Sequence, residues 1–197
     1  MKDGTKLRDA TGKNKISFRE YAALIICVAF LIGHGIYSAR MNSVTADEYV
    51  HLPIAISILQ TGDMVMDHSG SPPLRALLAL PVLAAKAVMD YTTHFWQIKK
   101  SYQFSWYFLK DNFRRYQQLF FISRLSVIAV AVILCLFIFV AARSLFGPRA
   151  AIFAAFLFCF NPETLAHSSL ITVEMLAACF FLSLFTASWN FSRTPAL

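Results

Sequence analysis

The chain has 197 residues, of which 57% are hydrophobic and only 15% charged, and its formal net charge is +7. Soluble domains carry about 25% charged residues and disordered chains lack apolar ones, so this composition excludes disorder and argues against a soluble domain. The basic excess lacks the stripe of cations and aromatics typical of nucleic-acid binders, so nucleic acid is not an expected partner. Since a span takes about 20 residues, we predict an all-α polytopic membrane protein with about four transmembrane helices and additional juxtamembrane amphipathic helices.

A basic tail opens the chain. Residues 1–20 hold six Lys and Arg against three acids, and residues 21–39 contain no charged side chain. A signal peptide would have a shorter apolar core of about 7–15 residues, followed by a cleavage site of small residues. We instead predict an uncleaved first span whose N-terminus lies in the cytoplasm. The predicted divisions are a cytoplasmic tail (residues 1–20), a transmembrane module (residues 21–193) and a short tail (residues 194–197).

The first loop, residues 40–73, is acidic. Within it, residues 49–59 place apolar side chains on one helical face, which predicts a short amphipathic helix lying along the membrane surface. Gly62 supplies the signal that ends this helix. The acids of the loop are Asp47, Glu48, Asp63 and Asp67, against Arg40 alone before the second apolar stretch.

The next apolar stretch, residues 74–89, leaves two topologies open. It is short for a span and carries Arg75 and Lys86, so it either crosses the membrane or lies at its interface. A crossing would place the basic and aromatic segment 91–118 in the cytoplasm, which the count of basic residues favours. An interfacial helix would place that segment outside and the turn at 143–149, with its two arginines, inside.

The remaining spans follow in the last third of the chain. Residues 125–142 form an uncharged run of 18 residues, the clearest span of the sequence. Residues 150–160 begin another apolar helix, which the Asn-Pro-Glu sequence at 161–163 interrupts, and residues 175–189 form the last apolar run. The four cysteines lie inside apolar runs without a CxxC spacing, so neither a structural disulfide nor a zinc site is expected.

Three stretches, taken in order, resemble the N-terminal half of the GT-C membrane glycosyltransferases, among them protein O-mannosyltransferases and bacterial lipid A aminoarabinose transferases. The resemblance covers about residues 20–190 and implies an integral protein of the bacterial inner membrane. It favours the topology with segment 91–118 outside. The stretches are 47–63, opening on Asp-Glu-Tyr-Val-His-Leu; 72–81, Pro-Pro-Leu-Arg-Ala-Leu-Leu-Ala-Leu-Pro; and 124–172, with Arg-Ser-Leu-Phe-Gly at 143–147 and Ala-His-Ser-Ser-Leu-Ile-Thr at 166–172.

The resemblance implies a catalytic role for Asp47 and Glu48. In that family a sugar is transferred from a polyprenyl phosphate to an acceptor outside the cytoplasm, and the acidic pair of the first external loop lies at the active centre. A carboxylate near the acceptor hydroxyl can act as general base while the lipid phosphate leaves. The structural alternative is that both acids begin a helix and complement its N-terminal dipole.

The sequence also departs from the family pattern. Where the family has a charged residue pair before the proline of its second motif, this chain has Gly70-Ser71, and the nearest charged candidates are Asp67 and His68. The family's Thr-x-Asp is replaced by a sequence ending in Glu174. Family members continue through further spans beyond the equivalent of Leu197, so the resemblance implies that part of the lipid-phosphate cavity is missing.

Further polar residues are candidates for binding. If the chain is active, the substrate-binding candidates are His51, Asp67, His68, His167 and Glu174. No cofactor is predicted, although a divalent metal is a weak alternative because Asp47 and His51 lie at i and i+4 on one helical face, with Asp63, Asp67 and His68 following.

Three interpretations of the function remain open. The favoured hypothesis is a GT-C-derived, non-catalytic structural or assembly subunit of a larger membrane complex, with Trp96, Trp106 and Tyr107 at the interface with other membrane subunits. The alternative is a glycosyltransferase that uses a polyprenyl-phosphate sugar, either whole or as half of an enzyme that a partner chain completes. An unrelated small helical membrane protein in contact with lipid is the third and least specific interpretation.

Overall fold

The computed structural model describes residues 17–66 and 71–193, and within these ranges the chain forms nine helices and no strand. The predicted all-α fold class is therefore confirmed. The helices are α1 (Phe18–Met41), α2 (Ala46–Thr61), α3 (Pro72–Ala84), α4 (His94–Gln97), α5 (Ser101–Asp111), α6 (Tyr116–Phe146), α7 (Pro148–Phe160), α8 (Pro162–His167) and α9 (Glu174–Arg193).

Three helices of the described part, α1, α6 and α9, are long and apolar enough to cross a membrane. They have 24, 31 and 20 residues. At a rise of about 1.5 Å per residue, even a 20-residue helix matches a hydrocarbon layer of about 30 Å. The predicted runs at 21–39, 125–142 and 175–189 lie within these helices, which mark the chain as an integral membrane protein.

Contacts between residues far apart in the sequence show which helix ends lie at the same end of the bundle. At one end of the bundle, Arg143 near the end of α6 donates from Nε to a carboxylate oxygen of Glu20 at the start of α1, over 2.7 Å. At the other end, the backbone N–H of Ile171 donates to the carboxylate of Glu48 on α2, over 3.1 Å. The chain therefore traverses the bundle between residues 148 and 171, through α7 and α8, which meet at the predicted break before Pro162.

Helices α2 to α5 lie together at the end of the bundle where α1 ends and α6 begins. Helix α2 packs against α3 and α5, and it ends at Gly62, whose φ of 73° is the left-handed conformation that glycine adopts most easily. The hydroxyl of Ser123 on α6 donates to the carbonyl of Leu78 on α3, over 3.0 Å. With 13 residues, α3 is about 20 Å long, too short to cross. Segment 91–118 therefore shares an end with α2, as the interfacial alternative predicts.

The helices meet in a main apolar core, and a second, smaller cluster that includes Ile54 and Phe104 lies between α2, α3 and α5. Small side chains let α1, α6 and α7 approach closely, with Ala131, Ala151 and Ala155 almost fully buried. The Sγ atoms of Cys135 and Cys159 lie 3.5 Å apart inside this core as free thiols.

We expect the two ends of the bundle to face opposite sides of the membrane, with residue 47 outside and residue 149 in the cytoplasm. By the positive-inside rule, the six basic residues before Tyr21 would keep the start of α1 in the cytoplasm, and the contacts above relate the other helices to α1. Single cysteines at these two positions, in a chain whose four native cysteines are replaced by alanine, can be labelled in intact cells with an impermeant maleimide. Labelling of position 149 but not of position 47 before lysis would refute this orientation.

Candidate functional site

The acidic pair at the start of α2 is divided by helix geometry. Consecutive residues of a helix point about 100° apart, because a turn takes about 3.6 residues. Asp47 is exposed, whereas Glu48 has 0% of its surface accessible. Glu48 forms a capping box with Thr45, accepting from its backbone N–H over 3.1 Å and from its hydroxyl over 3.2 Å. The two neighbouring acids therefore have different roles.

Glu48 is held in a buried ion pair with Arg124 of α6. Nε of the guanidinium donates to Oε1 over 2.7 Å, and Nη2 donates to Oε2 over 2.6 Å, so the contact is bidentate. The side chains of Arg124 and Glu48 are 3% and 0% exposed. This pair joins α2 to α6 in the interior of the protein.

The guanidinium of Arg124 also caps the C-terminal end of α1. Its Nη1 donates to the carbonyl oxygens of Ala39 and Asn42, each over 2.9 Å, and its Nη2 donates to the carbonyl of Ser43, over 3.0 Å. These carbonyls belong to the end of α1 and the residues after it, where no further helical N–H groups follow. One arginine thus ties α1, α2 and α6 together, and Glu48 adds the segment before α9 through Ile171.

The electrostatics of the pair keep Glu48 ionised. Burial alone would raise its pKa, but hydrogen bonds and charge from Arg124, together with the backbone N–H groups of Thr45 and Ile171, outweigh burial and hold the pKa below its ordinary value. A general base must reach the proton that it takes. With both oxygens engaged and no exposed surface, Glu48 serves the fold, and Asp47 is the acid that faces the surroundings.

Asp47 borders a cavity of about 290 Å³ between α2, α3 and α5. His51 and Arg75 line the same cavity, so a carboxylate, an imidazole and a guanidinium surround one space. His51 lies 3.1 Å from the carbonyl oxygen of Ile171 through Nδ1. Because a carbonyl only accepts, Nδ1 carries the proton, and in the neutral ring Nε2 is the acceptor nitrogen.

The other predicted binding residues lie elsewhere. His167 and Glu174 are close to each other, with 3.9 Å between Nδ1 and Oε2, and Nε2 of His167 is 3.1 Å from Glu163. They line a separate cavity beside α8 and α9, also of about 290 Å³. The predicted candidates Asp67 and His68 lie outside the described residues.

The predicted metal alternative gains no support from the described residues. Asp63 forms an ion pair with Lys99 and is not joined to Asp47 and His51. Lys99 lowers the pKa of Asp63 by donating a hydrogen bond to it. Within 17–66 and 71–193, no three His, Cys, Asp or Glu side chains are arranged to hold an ion.

The three aromatic residues predicted at an interface differ in exposure. Trp106 on α5 is 53% exposed, and its indole meets Tyr107 edge-on, with 5.1 Å between ring centroids. Trp96 is half-buried and packs against Tyr91 and Phe104, at 4.8 and 5.2 Å between centroids. Of the three, Trp106 offers the largest free surface.

Sequence reasoning missed the two arginines that complete these arrangements. In the sequence, Arg124 only precedes the uncharged run at 125–142, and Arg75 is only a charge within the apolar stretch at 74–89. A guanidinium within or beside an apolar helix needs a partner, because burial of an unpaired charge is costly. That rule signals a partner for each of them, although it does not identify Glu48.

The chain matches no family model, and no curated protein or solved structure is significantly similar to it. The GT-C relationship therefore remains a prediction from the sequence motifs.

Proposed function

We propose that this chain is a GT-C-derived membrane module that acts as a non-catalytic structural subunit of a larger membrane complex. The observation that carries the proposal is the burial of Glu48 in its ion pair with Arg124. Half of the acidic pair that the resemblance assigns to chemistry is engaged in joining α1, α2 and α6. The pair supports a rigid scaffold at the end of the bundle where α2 to α5 lie.

The exposed aromatic surface of this scaffold supports a role in assembly. Tyr102, Trp106 and Phe113 are 63%, 53% and 74% exposed, and they belong to segment 91–118 rather than to a spanning helix. Aromatic side chains are enriched at protein interfaces, where they supply much of the binding energy. We infer that the interface with other subunits is centred on Trp106.

The cavity beside Asp47 favours one alternative, the transfer of sugar from a polyprenyl phosphate. There the carboxylate of Asp47 would take the proton of an acceptor hydroxyl, whose oxygen bonds to the anomeric carbon of the sugar. The bond from that carbon to the phosphate oxygen breaks, and the phosphate leaves with the electron pair. Arg75, a cation lining the same cavity, would stabilise the departing charge.

Two substitutions separate these functions. If the chain is structural, Trp106→Ala should lower the mass of the particle purified in mild detergent, while Asp47→Asn leaves that mass unchanged and no sugar transfer is detected. Trp189→Ala on α9 is the matched control for loss of an exposed indole, since Trp189 is 39% exposed. Light scattering gives the mass, and a polyprenyl-phosphate sugar with radiolabelled carbohydrate measures transfer.

The opposite pattern would establish the alternative. Transfer by the purified particle that Asp47→Asn reduces by about 100-fold or more, the range lost with a general base, would refute the non-catalytic assignment. Asp111→Asn is the control, because Asp111 is also exposed and lies in the same part of the chain but does not line the cavity. An unchanged mass in Trp106→Ala would refute the proposed interface independently.

A further inference from the structure

Two adjoining cavities form a cleft on the other side of the α2 N-terminus from the Asp47 cavity. The larger has a volume of about 660 Å³ and lies between the start of α2 and α5. The smaller, of about 450 Å³, lies between the end of α1 and the start of α6. Ser43, Val44 and Tyr116 line both, so the two cavities lie side by side. The cleft is large enough for the polar half of an amphiphile.

The lining of the cleft changes from aromatic to polar along its length. The larger cavity is bordered by the rings of Tyr49, Trp106 and Phe113, and Tyr116 stands where the two cavities meet. The smaller cavity has amide and cationic groups from Asn42, Gln117, Gln118 and Arg40.

The charges around the cleft are of one sign. The lining residues of both cavities, all from the described ranges, include Arg40, Lys110 and Arg124 and no Asp or Glu. The charge of Arg124 is balanced by Glu48, so two exposed cations remain, one at each part of the cleft. Arg40 lies 5.3 Å above the ring of Phe121, and Lys110 lies 5.6 Å from that of Trp106. An anionic ligand therefore complements this cleft.

The position of the cleft indicates where such a ligand comes from. Its walls include the last residues of α1 and the first of α6, two helices that can cross a membrane. The cleft therefore lies close to the level where the spans leave the hydrocarbon layer. At that level, cations and Trp or Tyr side chains meet lipid headgroups. Phospholipids are the amphiphiles that a membrane supplies at that level.

We propose that the cleft binds an anionic phospholipid. Its phosphate lies between Arg40 and the amide groups of Gln117 and Gln118, and Lys110 meets the second charge or the headgroup hydroxyls. The glycerol and the first acyl carbons pack against the rings of Trp106 and Tyr116. A zwitterionic lipid would bring its own cation towards Arg40 and Lys110, so the cleft discriminates against it.

Native mass spectrometry of the full chain in detergent tests the proposal directly. With equal amounts of phosphatidylglycerol and phosphatidylcholine, the chain should retain mainly phosphatidylglycerol. Since each cation near a lipid surface contributes about fivefold to affinity, Arg40→Gln with Lys110→Gln should weaken retention by more than tenfold. Arg193→Gln is the matched control, because Arg193 is also exposed and lies 4.6 Å above the ring of Trp189, far along the chain on α9. It should retain lipid as the original chain does.

A second measurement does not depend on charge variants. Phosphatidylglycerol with brominated acyl chains should quench the part of the fluorescence that is lost in Trp106→Phe, and brominated phosphatidylcholine should quench it less. Equal retention of both lipids, equal binding by the double variant and the original chain, or quenching without preference would each overturn the proposal. So would displacement of the lipid by soluble glycerol phosphate at low concentration, which would make the site one for a free phosphate. A partner subunit that fills the cleft and excludes the lipid would also overturn it, whereas a subunit that contacts Trp106 at the edge of the cleft while the lipid is retained would support both proposals.

Discussion

Replacing Arg124 by methionine should destabilise the folded chain by about 3–5 kcal/mol, because it leaves the Glu48 carboxylate buried without its cation. The substitution also removes three hydrogen bonds to carbonyl oxygens at the end of α1. Thermal unfolding in detergent, followed by circular dichroism, measures the loss. Arg114→Met is the control, because Arg114 is exposed. A melting temperature unchanged by Arg124→Met would show that the pair does not hold the helices together.

The double variant separates the ion pair from the other contacts of the arginine. Glu48→Met alone should also be strongly destabilising, since it leaves the guanidinium buried. Glu48→Met with Arg124→Met should lose less stability than the two single changes added together, because neither charge is then left alone. Strict additivity would mean that the two side chains do not interact energetically.

Apolar runs predicted the membrane part of the fold well. The uncharged runs at 21–39 and 125–142 lie inside α1 and α6, and the break before Pro162 separates α7 from α8. Helix α6 nevertheless begins at Tyr116, nine residues before its uncharged run. Hydropathy identifies the part of a helix that suits lipid, and it carries no information on how far the helix continues beyond that part.

The position of α3 at the end of the bundle where α2 to α5 lie could not be predicted from the sequence. Counting basic residues favoured a crossing at 74–89, whereas α3 ends at Ala84 and packs against α2 and α6. Charge counts treat each segment as independent. The contact of Ser123 with the carbonyl of Leu78 is a tertiary fact that no local pattern contains.

The candidate site was also predicted only in part from the sequence. The sequence singled out Asp47, Glu48 and His51, and helical spacing correctly predicts that the first and third of them share a face. It did not separate Asp47 from Glu48, although adjacent helical residues diverge. The partner of Glu48 lies 76 residues away on another helix, so only packing reveals that this acid is structural.

Replacing Gly35 by leucine should separate α1 from α6. A Cβ at this position would lie 3.0 and 3.2 Å from two carbon atoms of Ile128, which is itself buried. Small residues at such contacts allow helix backbones to approach closely in membranes. Overpacking of this kind costs about 1–3 kcal/mol, and we expect a melting temperature several degrees lower in detergent.

Gly33, on the same helix, supplies a control variant whose expected effect on stability has the opposite sign. Gly33 is exposed, and a Cβ added there would meet nothing within 4 Å. Gly33→Leu should therefore stabilise α1 by up to about 1 kcal/mol through helix propensity alone. Ile128→Ala should partly rescue Gly35→Leu, because it removes the atoms that the new side chain meets. Equal melting temperatures for the Gly33 and Gly35 variants would contradict the close contact of α1 with α6. That contact brings Arg124 of α6 within hydrogen-bond distance of the carbonyl oxygens at the end of α1.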